Sequence, residues 1–170
     1  RATPVEQPAQ GHAMKFKVTE DVDAPQALVW QRLTDFSGLE ADARGRGATV
    51  TRLGNWTRTE QGVEWRGEVT VRGKQRAIMA RVTTLTPDDL CIVQSKIGGM
   101  DCHYEMSFVA LSPRTTRVAL TLDLSADTLT ARLLLQTMKL ARGRVLQRLQ
   151  GILARQGNAA EAEFRRQQGT

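Results

Sequence analysis

At 170 residues, 41% of them hydrophobic, the chain can bury one substantial core and is short for two domains. Two cysteines are too few for a disulfide framework, and no apolar run is long enough to span a bilayer, so the expectation is a soluble, cytoplasmic protein. The net charge of +6 is localised: residues 128–156 carry Arg132, Lys139, Arg142, Arg144, Arg148 and Arg155 with no Asp or Glu, and the rest of the chain balances 18 basic residues against 18 acidic ones. Such a stretch is either a solvated outer face or a surface attracted to an anionic membrane or acidic partner.

Residues 1–13, with Pro4, Pro8 and Gly11 and little apolar content, read as a flexible extension before a domain that starts at Met14. From there Phe16, Val18 and Val22 alternate with Lys15, Lys17, Thr19 and Asp21, the period of a half-buried strand, and Glu20 falls on the apolar side. Asp23-Ala24-Pro25 then places a Pro where a first helical turn accepts it, predicting a helix through Leu28, Val29, Trp30 and Leu33 that ends near Asp35-Phe36. A second short helix over 37–43 is stopped by Gly45 and Gly47, and 49–53 is a short strand followed by a polar loop over 54–62.

Two hairpins follow. Val63, Trp65, Gly67, Val69 and Val71 alternate with Glu64, Arg66, Glu68, Thr70 and Arg72. A tight turn at Gly73-Lys74 pairs Arg72 with Gln75 and sets Val69 opposite Ile78, Gly67 opposite Ala80 and Trp65 opposite Val82, with all apolar residues on one side. In the second hairpin, turning at Gly98-Gly99, Ile97 meets Met100, so that Ser95 faces Cys102, Val93 faces Tyr104 and Cys91 faces Met106. Gln94 with His103 and Lys96 with Asp101 occupy the other side. The cysteines share a side without being opposed, which argues against a disulfide. After a turn at Ser112-Pro113-Arg114, Val118, Leu120, Leu122 and Leu124 point inward.

Residues 129–156 read as one amphipathic helix with a spine of Leu134, Met138, Ala141, Val145, Leu149 and Ile152, widened by Leu135, Leu146 and Leu153. At ~1.5 Å per residue it is about 40 Å long, enough to cross a curved sheet. Residues 157–170 are expected to fray as a charged tail.

The order strand, helix pair, antiparallel strands and long closing helix, with DAPQALVWQRLTDF in the first helix, resembles the START-like superfamily of birch-pollen-allergen-like, polyketide cyclase and lipid-transfer proteins over residues 14–156. The most specific local match is the strand leading to Ala24-Pro25 and then Val29-Trp30. The resemblance implies an α+β helix-grip fold: a curved antiparallel sheet around a long C-terminal helix, with an apolar cavity between them. Its members range from carriers to enzymes, so fold leaves function open.

A cavity of this kind draws its walls from Trp65, Val69, Ile78, Val82, Val93, Tyr104, Met106, Phe108, Leu120 and Leu122, with Met138 and Val145 from the helix. These suit a lipid-, quinone- or polyketide-like ligand, unless the same side chains simply fill a core. Glu20 and Tyr104 are the candidate catalytic pair of a cyclase or dehydratase: a buried carboxylate for proton transfer and a phenol to polarise a carbonyl. A satisfied core tyrosine and a rim glutamate are the bland alternatives. Arg76, on the inward side near a hairpin end, can meet an acidic ligand group at the mouth.

No metal site is expected. His103 is the one histidine beyond the N-terminal extension, it points outward, and no HExxH or CxxC is present. GxSxG, P-loop and Rossmann spacings are absent, which speaks against serine-hydrolase chemistry and nucleotide cofactors. Aromatics are only 5% of residues and are not interleaved with basic ones, so nucleic acid is not an expected partner. The expected partner is a small hydrophobic molecule; an anionic membrane surface is added only if the basic helix is more than a solvated outer face.

Overall fold

The computed structural model describes residues 13–169 apart from residue 72. β1 (Ala13–Val22) is followed by α1 (Gln26–Leu33) and α2 (Phe36–Gly45), then by β2 (Thr49–Leu53), β3 (Glu64–Val71), β4 (Lys74–Thr86), β5 (Leu90–Ile97), β6 (Met100–Ser112) and β7 (Thr115–Ala126). Two helices, α3 (Leu129–Leu140) and α4 (Arg142–Gln168), close the chain. The strands form one antiparallel sheet in the order β1-β7-β6-β5-β4-β3-β2. The extension expected over residues 1–13 lies, Ala13 apart, outside the described residues; Ala13 already pairs with Ser125.

Alternation decides the faces. Met14, Phe16, Val18 and Val22 are buried while Lys15, Lys17, Thr19 and Asp21 are exposed. Pro25 precedes α1 with φ −62°, the value its ring imposes, and the Asp35 carboxylate accepts from the Gly38 N–H at the start of α2. The β5–β6 register is as the sequence predicts, from Ile97 with Met100 to Cys91 with Met106.

The β3–β4 register differs from the expectation by two residues: Val71 pairs with Lys74, Val69 with Arg76, Gly67 with Ile78 and Trp65 with Ala80. The turn closes one residue earlier, with Gly73 at φ +75° supplying the left-handed conformation of a two-residue hairpin. A shift of two preserves which side each residue faces, so the apolar side survives the error. Gly67 is required for another reason. A Cβ there would stand 1.7 Å from the Thr49 carbonyl oxygen, so β2 can fold this closely over β3 only across a glycine.

The closing helix is two helices. The Thr128 hydroxyl caps α3 by accepting from the Ala131 N–H, and the helix ends at Ala141, φ −99° and ψ 23°. Thr137 turns its hydroxyl back onto the Leu133 carbonyl and Gly143 follows the break, both of which weaken a continuous helix. The charged tail does not fray either: α4 continues through Gln168. Gly157, which read as a stop, lies against β1, where a Cβ would come within 3.0 Å of Val22 Cγ2, and Ala160 is fully buried one turn later. Packing of this small-residue face overrides glycine's poor helix propensity. Glu161 accepts from the Asp23 N–H and Glu163 pairs with Arg32, fixing the last turns to the chain around α1.

Candidate functional site

The concave face is organised in cross-strand rows. One runs Val82, Val93, Tyr104, Leu122 and Phe16 across five adjacent strands, β4, β5, β6, β7 and β1. Tyr104 sits at its middle. The next row toward the α1 end contains Cys91, Met106, Leu120 and Val18.

The predicted wall residues fall into two groups. Met106, Phe108 and Leu120 are buried in a core with Val29 of α1 and Leu153 of α4, and Val82 is buried with Phe36, Val63 and Cys91. Trp65 belongs to that second core: its ring stands edge-on to Phe36 at 5.1 Å and its indole N–H donates to Glu40 Oε1 at 2.6 Å. These five form the floor of the fold and have no free face. Val69, Ile78, Val93, Tyr104, Leu122, Met138 and Val145 are only half-buried, although all are apolar or aromatic and the strand residues face inward. The reason lies in the helices. α4 packs along β1 and α1, and α3 along β7 and β1, so that among the described residues the closing helices lie mainly over that half of the sheet and little over the concave side of β3, β4 and β5.

Tyr104 brings a polar group to the middle of this face. Burial pushes its phenol well above the ordinary tyrosine range, with the neighbouring Cys91 and Cys102 adding to the effect. Among the described residues its hydroxyl nevertheless donates only to Met106 Sδ, at 3.6 Å, a weak acceptor. At the hairpin end of the same face Arg76 extends along Gly98, where a Cβ would touch its Nη1 at 3.3 Å. Its Nε is buried and has no hydrogen-bond partner, and among the described residues it enters no ion pair. Arg76 lies opposite Val69 rather than Val71, the same two-residue correction as above.

Glu20 does not join Tyr104. It accepts from Gln150 Nε2 at 2.7 Å, which ties β1 to α4 at the edge of the sheet. Glu20 pairs with Val118 and Tyr104 with Leu122, so the two stand two strands and four residues apart, about 16 Å between backbones. At that separation the two side chains cannot hydrogen-bond to each other.

His103 points outward, as predicted, beside Gln94 and Glu105. It lines a cleft of about 420 Å³ on the convex face with Lys15, Asp101 and Asp123, and a polar groove of about 820 Å³ runs between α1, Arg52 and the loop at Thr57 and Thr59. Neither involves the half-buried concave row. Among the described residues no cluster of His, Cys, Asp and Glu has the arrangement of a metal site. Both cysteines are free and buried; burial raises the Cys91 thiol to about 11 and lifts that of Cys102 as well. Among the described residues no helix is long and apolar enough to cross a membrane.

No family model and no curated protein matches the chain. Solved structures do. The Zhui aromatase/cyclase from Streptomyces sp. R1128 is 21% identical with a TM-score of 0.60, over 85% of this chain and 95% of that one. A START superfamily protein from Mycobacterium smegmatis is 15% identical with a TM-score of 0.51, over 81% and 98%. The chain has the START-like, helix-grip fold. A point mutant of norcoclaurine synthase from Thalictrum flavum, in complex with a transition-state analogue, is similar as well, at 13% identity and a TM-score of 0.60 over 92% and 96%. At these identities the START-like likeness describes the fold, and the chemistry must be argued from the residues.

Two features carry little signal in the sequence. Glu40, which receives both Trp65 and Arg52, stands on a helix whose apolar pattern is too weak to reveal which way a glutamate points. The break at Ala141 was signalled only by Gly143, one glycine inside a long periodic run.

Proposed function

We propose that the chain binds and carries a small hydrophobic ligand, lipid-, quinone- or polyketide-like, held between the concave face of β3 to β7 and the closing helices. The observation that carries this reading is the half-buried row around Tyr104. Inward-facing Val93, Leu122 and Ile78 keep accessible surface, and a deeply placed phenol donates to nothing better than a thioether. Exposed apolar area of this kind is stabilised when a ligand covers it, at about 25 cal/mol per Å². A ligand carbonyl or hydroxyl would accept from Tyr104, and an acidic group would meet the unpartnered Nε of Arg76, so the preferred ligand is an amphiphile with a polar end toward the Gly98 hairpin.

The first test is native mass spectrometry and solvent extraction of the freshly purified protein, followed by titration with the fluorescent anionic aromatic anilinonaphthalene sulfonate. The expected result is a co-purifying hydrophobic molecule or saturable one-site binding of the reporter. Tyr104→Phe is expected to weaken reporter binding several-fold, the loss of about one hydrogen bond. A protein that emerges empty and shows no saturable binding across a panel of lipids, quinones and aromatic acids would sink the reading.

A further inference from the structure

α3 has two apolar faces. Ala131 and Leu135 are buried against β7 and β1. On the opposite side Leu129, Leu133 and Leu140 are 73%, 62% and 92% exposed, and their spacing of four and seven residues brings them within about 40° of arc, a single strip along the helix. The other large exposed apolar residues are dispersed: Leu39 on α2, Met79 on β4, Val109 and Leu111 on β6. A surface helix needs one apolar face to hold its place, and a second that faces water calls for another partner.

The charges around the strip identify that partner. Arg132 and Lys139 flank the leucines on one side, Arg144 follows just beyond the break at Ala141, and no acidic residue occurs from 128 to 156. Among the described residues Lys139 and Arg144 enter no ion pair, so their charge is available outward. The nearest acid in the chain, Asp127, is already held by Lys96 at 3.1 Å. Arg142 is used internally, donating to the Lys15 carbonyl and lying over the Phe16 ring. Leucines beside unpaired cations form the pattern of a helix that lies in a membrane interface, the apolar side chains among acyl chains and the cations at anionic headgroups.

We infer that α3 is a docking helix for anionic lipid bilayers, inserting Leu129, Leu133 and Leu140 with Arg132, Lys139 and Arg144 at the headgroups. The inner side of the same helix carries Leu134 and Met138 toward the interior, so docking brings the wall of the proposed ligand site to the bilayer. The docking itself stands whether or not that site is filled.

Vesicle co-sedimentation with the full chain tests this. Vesicles of phosphatidylcholine mixed with phosphatidylglycerol are compared with phosphatidylcholine alone, at low and high salt. Binding is expected to the anionic vesicles, weakened by salt. The triple variant Leu129→Ser/Leu133→Ser/Leu140→Ser is expected to lose at least about tenfold in affinity, and Lys139→Gln and Arg144→Gln about fivefold each. The three leucines and Arg144 are exposed and Lys139 is half-buried, and unchanged circular dichroism and melting would show that the variants remain folded. No binding to anionic vesicles at low salt, or a triple variant that binds like the parent, overturns the inference. So does a concentration-dependent dimer that the leucine variant dissociates, since the strip would then belong to a second copy of this chain. Empty protein that still docks would reject the ligand reading alone.

Discussion

Two parts of one sheet face carry the same apolar alternation and meet different fates. Toward α1, the strand residues Val22, Phe108 and Val118 are 0–1% exposed, closed in by α1 through Val29 and by the second half of α4 through Ala160. Across β3, β4 and β5, Val69, Ile78 and Val93 face the same way and are left half-covered. Pattern decides which side faces in, while the path of the closing helices decides how much of that side is filled. The packed part should therefore hold the stability and the open part any ligand. The largest expected effect lies in the packed part. Phe108 is 1% exposed and its ring meets Trp30 at 5.0 Å, edge to face. Phe108→Ala is expected to cost about 3–5 kcal/mol, read as a lower urea midpoint with little change in slope.

Legibility in the sequence followed the same division. Period-two alternation needs only local information, so the inward sides of β1, β3, β4, β5, β6 and β7 were readable, and the Gly98-Gly99 turn fixed one register fully. The Gly73 hairpin slipped by two because period two cannot distinguish registers that keep the same side inward. Helix boundaries failed where tertiary packing dominates: Gly157 sits in mid-helix because Val22 lies against it, a contact between residues far apart in the chain. For the site, membership of the concave face was legible, but division of that face into filled core and open row was not. That division depends on where α3 and α4 run. The separation of Glu20 from Tyr104 was hidden likewise, since it requires the β1-β7-β6 strand order.

A middle-sized effect belongs to the link between α2 and the outer strands. Burial disfavours the Glu40 carboxylate, but hydrogen bonds from the Trp65 indole and Arg52, with the charges of Arg52 and Arg44, outweigh it and hold the group below its ordinary range. A depressed folded value means that the unfolded chain binds the proton first on acidification. The stabilisation is complete above the unfolded carboxylate value and is lost as pH falls through the lowered folded one. Glu40→Gln is expected to cost about 1–2 kcal/mol near neutral pH, and its deficit relative to the parent should shrink through that acid window. Urea unfolding of both proteins across the acid range checks the sign; a deficit that widens on acidification would remove Glu40 as the link.

The smallest expected effect on stability bears most directly on the difference between the two parts. Ile78 faces inward, pairs with Gly67 on one side and Ile97 on the other, and is half-buried. Truncation removes methyl groups that already retain accessible surface, so there is little transfer free energy to lose and no sealed void to create. Ile78→Ala is expected to cost about 1 kcal/mol or less, well short of the 2–5 kcal/mol of a fully buried isoleucine. The same truncation removes area that a ligand would cover, so reporter affinity should fall several-fold while the unfolding midpoint scarcely moves. That opposition is the signature of an open wall. Should Ile78→Ala instead destabilise as Phe108→Ala does, the β3 to β5 face is ordinary core, and the distinction between the two parts of the sheet fails.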